Sequence, residues 1–307
     1  SSRDASWYGA AVDRIVIVGS GAAGAIIATR ASENADRDVV LIEAGPDYKT
    51  DAEIPSDIRN GTRNSMTAHD WGYEHKPTRE GGVMPYPRGR VVGGSTAVNT
   101  CIAIRGQDYD YDEWGARGLP GWSFEECLPA FKRLETDLDF GDAPYHGKSG
   151  PIPVRRHPKS ELAIFQAAFL EACAELSFTP CEDSNAPGST GFGPHAMNKI
   201  DGERMGAARC YLTSKVRSRK NLLVESNAHV VRVLFTGKRA TGVEIMRDGK
   251  LETIEAALVV LAGGAIGTPM ILLRSGIGPA DILARHGVPA VRVHPGVGAK
   301  LLDHPGC

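Results

Sequence analysis

The 307-residue sequence contains no run of ~20 apolar residues, the length a helix needs to cross a bilayer, so no membrane partner is expected. Neither sign of charge is in excess, with 35 lysines and arginines against 37 acidic residues, which removes the case for nucleic acid or an anionic surface. Cysteines are few and scattered: Cys101, Cys127, Cys173, Cys181, Cys210 and Cys307 form no C-x-x-C pair and sit beside no histidine cluster. That spacing excludes a zinc site and a disulfide framework, and free thiols point to a reducing compartment, the cytoplasm. The first residues, Ser1 to Ala11, lack the apolar core of a signal peptide and read as a short lead-in. An initiator Met is also missing, so the sequence is expected either to have been trimmed or to begin inside a longer chain. What remains, 42% apolar and 23% charged residues, is the balance of an ordinary globular protein. The length exceeds the ~100–200 residues of one domain, so a second domain or large insertion is expected.

Val12 to Val18 is a β-branched run ending in glycine, as a buried parallel strand should. Ala22 to Ala31 reads as an alanine-rich helix, and Val39 to Ile42 as a second buried strand ending at Glu43. Together they make one βαβ unit. Residues 46–92 are rich in Pro, Gly, Asn and Asp, too long for an ordinary loop, and should lie across a ligand or domain surface. Leu162 to Leu176 has helical spacing, and 180–206 is again loop-like. From Asn221 the pattern is β: Leu222 to Val224, Val230 to Phe235, Ala240 to Met246, Glu252 to Glu255 and Ala257 to Leu261. Asp248-Gly249 is a hairpin turn between two of these strands. A glycine turn at Ala262-Gly263-Gly264 then precedes a helix from about Thr268 to Arg274.

Gly19-Ser20-Gly21-Ala22-Ala23-Gly24 fits G-x-G-x-x-G between strand and helix. Gly19 permits the tight turn, Gly21 admits a pyrophosphate to the backbone, and Gly24 allows close packing of helix on strand. The free N–H groups of the first helical turn would then face the phosphate charge. Glu43 closes the next strand, where a carboxylate can accept from ribose hydroxyls. These features point to a dinucleotide without separating FAD from NAD. A second glycine cluster, Arg88-Gly89-Arg90-Val91-Val92-Gly93-Gly94-Ser95-Thr96-Ala97-Val98-Asn99, could supply further phosphate donors and an amide for a polar ring edge. A tight structural loop with a solvated arginine accounts for the same residues equally well.

The run Arg88 to Asn99, continuing through Thr100-Cys101-Ile102-Ala103-Ile104-Arg105-Gly106 to Asp110-Tyr111-Asp112-Glu113-Trp114, resembles the first signature of the glucose–methanol–choline (GMC) oxidoreductases. Leu261 to Gly278 resembles the second. Asp70 to Tyr73, Tyr145 to Pro153, Asp201 to Arg204, Ala207 to Leu212 and Ala240 to Glu244 resemble family segments in the right order. The resemblance implies an α/β fold: a doubly wound, Rossmann-like FAD-binding domain from 11–154 and 205–307. Residues 155–204 would form part of a second, α+β substrate domain whose remainder follows Cys307. It implies FAD as cofactor, with the pyrophosphate at Gly19, Gly21, Ala23 and Gly24 and the adenosine ribose at Glu43. Arg90, Gly94, Ser95, Asn99, Thr100 and Ala103 would line the pyrophosphate and flavin side. Val230 would meet the adenine, Ala262 and Gly263 would close over the adenosine end, and Trp71 is a further contact. Members with flavin attached through histidine carry that residue immediately before the Asn of the first signature. Here Val98 stands there, so the FAD is expected to be non-covalent.

The same resemblance implies oxidation of a small-molecule alcohol by hydride transfer to flavin N5, with a histidine base in a C-terminal segment. That segment, or a separate chain completing the substrate domain, would be the missing partner, and this chain alone would be inactive. None of the nine histidines is assigned as the base. His69, His75, His146, His157 and His195 read as surface or loop residues, His229 lies in a strand pattern, and His286 and His294 lie near a turn. His304 matches a family segment without being the base. Asp108, Asp110, Asp112 and Glu113 lack the spacing of a calcium loop, so no metal is expected. Other readings are a non-catalytic FAD-binding fragment or subunit, a lyase or photodecarboxylase of the same fold, and an NAD-dependent reductase.

Overall fold

All four residues of Val39–Ile42 are buried, as are the last three of Ile15–Val18; strands covered on both faces require such unbroken apolar runs. A computed structural model of the chain describes residues 13–65 and 67–303; the lead-in 1–11, Val12, His304 and Cys307 lie outside them. These residues form two compact units, one from 13–54, 65–98 and 207–303, the other from 55–64 and 99–206.

The first unit begins with β1 (Ile15–Val18), α1 (Ala22–Ala31) and β2 (Val39–Ile42), the expected βαβ start. Much later come β3 (Leu222–Glu225), then β4 (His229–Thr236), β5 (Arg239–Arg247) and β6 (Lys250–Glu255), and finally β7 (Leu258–Leu261) with α2 (Gly264–Arg274). β3, β2, β1 and β7 pair in that order as a four-stranded parallel sheet, the strand order of a doubly wound nucleotide-binding half. β4, β5 and β6 form a separate antiparallel meander. Asp248 and Gly249 join its last two strands with φ of 48° and 76°, the left-handed pair of a type I′ hairpin.

Alternation along β1 and β2 divides the core in two. Val16, Val18, Val40 and Ile42 pack with Val243, Ile245 and Ile254 of the meander. Ile17, Val39 and Leu41 pack on the other face with Ala25 and Ala28 of α1. Each such valine, leucine or isoleucine contributes about 1.5–3 kcal/mol by leaving water. Two expectations needed adjustment: β1 starts at Ile15, and α2 begins at Gly264, because the glycines that looked like a turn form its entry.

The second unit is held differently. Its helices span Asp108–Ala116, Phe124–Leu134 and Ile164–Glu175, and its main sheet joins Glu135–Asp137, Ile152–Arg156 and Ala196–Met197. The spacing from Leu162 had indicated the third helix; the first two went unread, although Ser123 and Glu126 form a capping box at the second. Its buried side chains include Glu135, Asp137, His146, Arg156, Asp183, Asn185 and Arg204. His146, expected on a loop surface, is fully enclosed at 2% exposure, and His69 of the first unit is buried also. Among the described residues no helix is long and apolar enough to cross a membrane.

Candidate functional site

A turn between β1 and α1 must reverse the chain within a few residues, and Gly19 does so with φ of 94°. A Cβ there would lie 2.5 Å from the Ala262 carbonyl oxygen. At Gly24 a Cβ would lie 1.8 Å from the Gly19 carbonyl oxygen, so this glycine lets α1 pack on its own turn. Gly21 is different. A Cβ there meets nothing in the protein closer than 3.9 Å, at Gly94. The space beside Gly21 belongs to a cavity of about 1020 Å³, lined entirely by the first unit.

α1 points its N-terminus into that cavity. Gly21 is its N-cap, no side chain caps it, and its first turn holds no acidic residue. Ala22 and Ala23 are exposed and line the cavity, leaving the N–H groups of the first turn for an anion. Glu43 enters from the end of β2. Its Oε2 accepts from the Ser20 N–H at 3.1 Å and the Ser20 hydroxyl at 2.7 Å, and its Oε1 accepts from the Gly45 N–H at 3.1 Å. A carboxylate has about four acceptor positions, so capacity remains for a ribose hydroxyl. Burial pushes the Glu43 pKa up, and the bonds from Ser20 and Gly45 oppose the rise.

The second glycine cluster reaches the same cavity. Gly94 is buried with φ of 51° and its N–H bonds the Val91 carbonyl at 2.7 Å. Ser95 is exposed, and its hydroxyl accepts from the Gly89 N–H at 3.1 Å. At the other end, Trp71 stacks on Tyr73 with centroids 5.9 Å apart and meets His229 edge-on at 5.7 Å. The Arg90 guanidinium lies 5.3 Å from the Trp71 ring, itself exposed. Val230 on β4 and Ala262 and Gly263 after β7 complete the lining, the Gly263 N–H bonding the Thr268 hydroxyl at 3.0 Å.

The cavity thus brings together Gly19, Gly21, Ala23, Glu43, Trp71, Gly94, Ser95, Val230, Ala262 and Gly263. Gly24 lies behind it as a packing residue, and Arg90 stands at Trp71 without lining it. Asn99, Thr100 and Ala103 belong to the second unit. There the Asn99 side-chain carbonyl accepts from Cys101 N–H at 3.1 Å, and Ala103 N–H bonds the Ala196 carbonyl at 2.8 Å.

Three contributors went unread in the sequence. Ser20 joins Glu43 to the second glycine cluster, because its hydroxyl also accepts from the Gly93 N–H at 3.3 Å. His229 and Arg274 line the cavity near Trp71. Burial, followed by the charges of Arg274 and Arg90, lowers the His229 pKa. The position of His229 directly before Val230 was the available signal; Ser20 occupied a variable position of its motif and offered none.

The model of the GMC oxidoreductase family matches residues 12–306. This chain belongs to the GMC oxidoreductases. It is 38% identical over 302 residues to a 5-(hydroxymethyl)furfural oxidase of Methylovorus sp. (strain MP688), covering 94% of this chain and 56% of that protein. An oxygen-dependent choline dehydrogenase of Staphylococcus aureus (strain MSSA476) is 40% identical over 299 residues, covering 94% and 51%. Among solved structures, the pyridoxine 4-oxidase of Mesorbium loti superposes with a TM-score of 0.85 at 35% identity, over 92% of this chain and 55% of that one. The GMC chain described here spans about half the length of the curated relatives it matches.

Proposed function

We propose that this chain is the FAD-binding part of an enzyme that oxidises a small alcohol by hydride transfer to flavin N5. The observation that carries the reading is the single cavity where the α1 N-terminus, Glu43 and the Gly94–Ser95 turn converge. It has the donors a pyrophosphate needs, an acceptor for a ribose, and a glycine at 21 whose missing Cβ leaves room for the ligand alone. When bound, the flavin supplies the hydride acceptor. The chain's own residues bind and orient it: Ala22 and Ala23 N–H groups hold the diphosphate, and Ser20 aims Glu43 at the ribose. Val230 and Trp71 bound the adenine end. Asn99, Thr100 and Ala103 carry over from the family resemblance as flavin-side residues, with 155–204 as part of a substrate domain.

The FAD is non-covalent in this reading, because Val98 is buried and offers no nucleophile where histidine-linked relatives carry theirs. The proton acceptor for the alcohol lies outside the residues assigned here, in a further segment or a separate chain. Hydroxymethyl compounds, choline and pyridoxine are the first substrates to try, since relatives are named for them. A visible spectrum and denaturing mass spectrum of the purified protein test the cofactor, and anaerobic bleaching by these alcohols tests the reaction. Colourless protein, or flavin on the 98–101 peptide, would overturn the binding claims. Flavin that no alcohol bleaches in the presence of its completing segment would favour a lyase or a non-catalytic subunit.

A further inference from the structure

Three buried acids meet one imidazole in the second unit, and two guanidiniums bind the same acids. His146 Nδ1 lies 2.7 Å from Glu135 Oε1 and 3.2 Å from Asp137 Oδ2, and its Nε2 lies 2.9 Å from Asp183 Oδ2. Ionised carboxylates only accept hydrogen bonds, and a neutral imidazole has a single N–H to give. With an acid at both nitrogens, the neutral ring would aim one lone pair at another. The arrangement therefore calls for the doubly protonated ring.

Charge counting agrees. Arg105 binds Glu135 at 2.5 Å, and Arg156 binds both Asp137 and Asp183. With His146 protonated the set is neutral; with it neutral, one buried negative charge is uncompensated. The guanidiniums also argue against a metal ion at Glu135, Asp137 and His146, whose ligand atoms lie within 4.8 Å of one another. Tyr145 also faces the ring, at 4.9 Å between centroids, and the Asp139 carboxylate reaches the set through Arg156, accepting from its backbone N–H.

The set reaches outward along one strip of chain. From 101 to 105 the backbone alternates: Cys101 is buried and the Arg105 side chain is 7% exposed, whereas Ile102 and Ile104 are open. Asn185, two residues after Asp183, accepts from the Arg105 N–H at 2.9 Å and donates to the Ala103 carbonyl at 3.0 Å. Its own N–H bonds Asp183 Oδ1 at 3.1 Å. We propose that His146, as an imidazolium, is a positioning residue that locks the 101–105 strip in place through Asp183–Asn185 and Glu135–Arg105, and that alkaline deprotonation releases it. The lock's bearing on flavin rests on the reading of Asn99, Thr100 and Ala103 as flavin-side residues.

Burial works against the charge on His146, but its bonds to Asp183 and Glu135 and the Asp137 charge raise its pKa to about 9. A histidine raised in the folded state stabilises fully below its ordinary value, and that contribution is lost as pH rises through about 9.

The test uses the purified, flavin-loaded protein. With ¹⁵N-labelled histidine, both His146 nitrogens should read as protonated at pH 7. Hydrogen exchange, corrected for its intrinsic pH dependence, should lose about tenfold protection in the 101–106 peptide across pH 8–10, with β1 and β2 unchanged. Flavin release should quicken with the same midpoint. His146→Gln should show the released state at pH 7 and no further step; the wild-type titration stands even if that variant misfolds. One unprotonated nitrogen at pH 7, no step, or a step shared equally by β1 and β2 would overturn the lock. A protein that shows the exchange step yet takes up no FAD at pH 7 would instead sink the cofactor reading.

Discussion

The two units solve the problem of a stable interior by opposite means. In the first, both apolar clusters of the described residues lie on the two faces of the parallel sheet, with Ser20, Glu43 and Glu225 buried at its C-terminal edge and Arg14 at the opposite one. In the second, the buried set is largely ionic or hydrogen-bonded: the His146 ring, and Arg204 giving its N–H groups to the carbonyls of Asn99, Asp57, Ile58 and Arg63. An apolar sheet tolerates changes of shape through repacking, whereas a buried ionic set fails when one member is removed. The sheet forms a rigid base for a cradle of glycines and N–H groups. The ionic interior instead fixes loops that have too few apolar residues to fix themselves.

Four substitutions sharpen this contrast. Gly24→Val should have the largest effect, since its side chain would overlap the Gly19 carbonyl and separate α1 from β1; loss of soluble protein on expression is the expected readout. Arg156→Met should follow, leaving the buried Asp137 and Asp183 with His146 alone to offset their charges. Urea unfolding should show a loss of about 3–5 kcal/mol, with exchange protection failing in 135–156 before β2. Equal failure in both units would break the comparison. Gly21→Ala should leave the melting temperature within about 2 °C, because its Cβ meets no protein atom closer than 3.9 Å. FAD affinity should nevertheless fall about tenfold to a hundredfold by titration, a cost of about 1.4–2.8 kcal/mol. An unchanged affinity would remove the pyrophosphate from that wall. Gly249→Ala, at φ of 76° in the meander hairpin, should cost the least, about 1–2 kcal/mol by thermal unfolding and nothing in flavin binding.

How far the sequence could be read follows the same division. β1, α1 and β2 were legible because buried parallel strands leave apolar runs and the glycines between them are required by sterics. The Asp248-Gly249 turn was legible for the same reason. The helices at Asp108–Ala116 and Phe124–Leu134 were not: the first coincides with the end of a family signature, and the second is marked at its start only by the Ser123–Glu126 cap. His146 was misread as a surface residue because the acids that enclose it lie at 135, 137 and 183, and nothing beside it in the chain marks an imidazole that they will bury. Ser20 was missed similarly, its partner Glu43 lying across a whole βαβ unit.

By itself, then, the sequence determined the nucleotide-binding half-sheet and the turns that must be glycine, since local sterics and period alone specify them. Its family followed from motifs kept in order along the chain. Only the tertiary structure decided that Glu43 is held by Ser20, that His229 and Arg274 line the cavity, and that Glu135, Asp137 and Asp183 converge on His146. Those facts depend on which side chains meet after the chain has closed long loops, and no short window of sequence contains both partners.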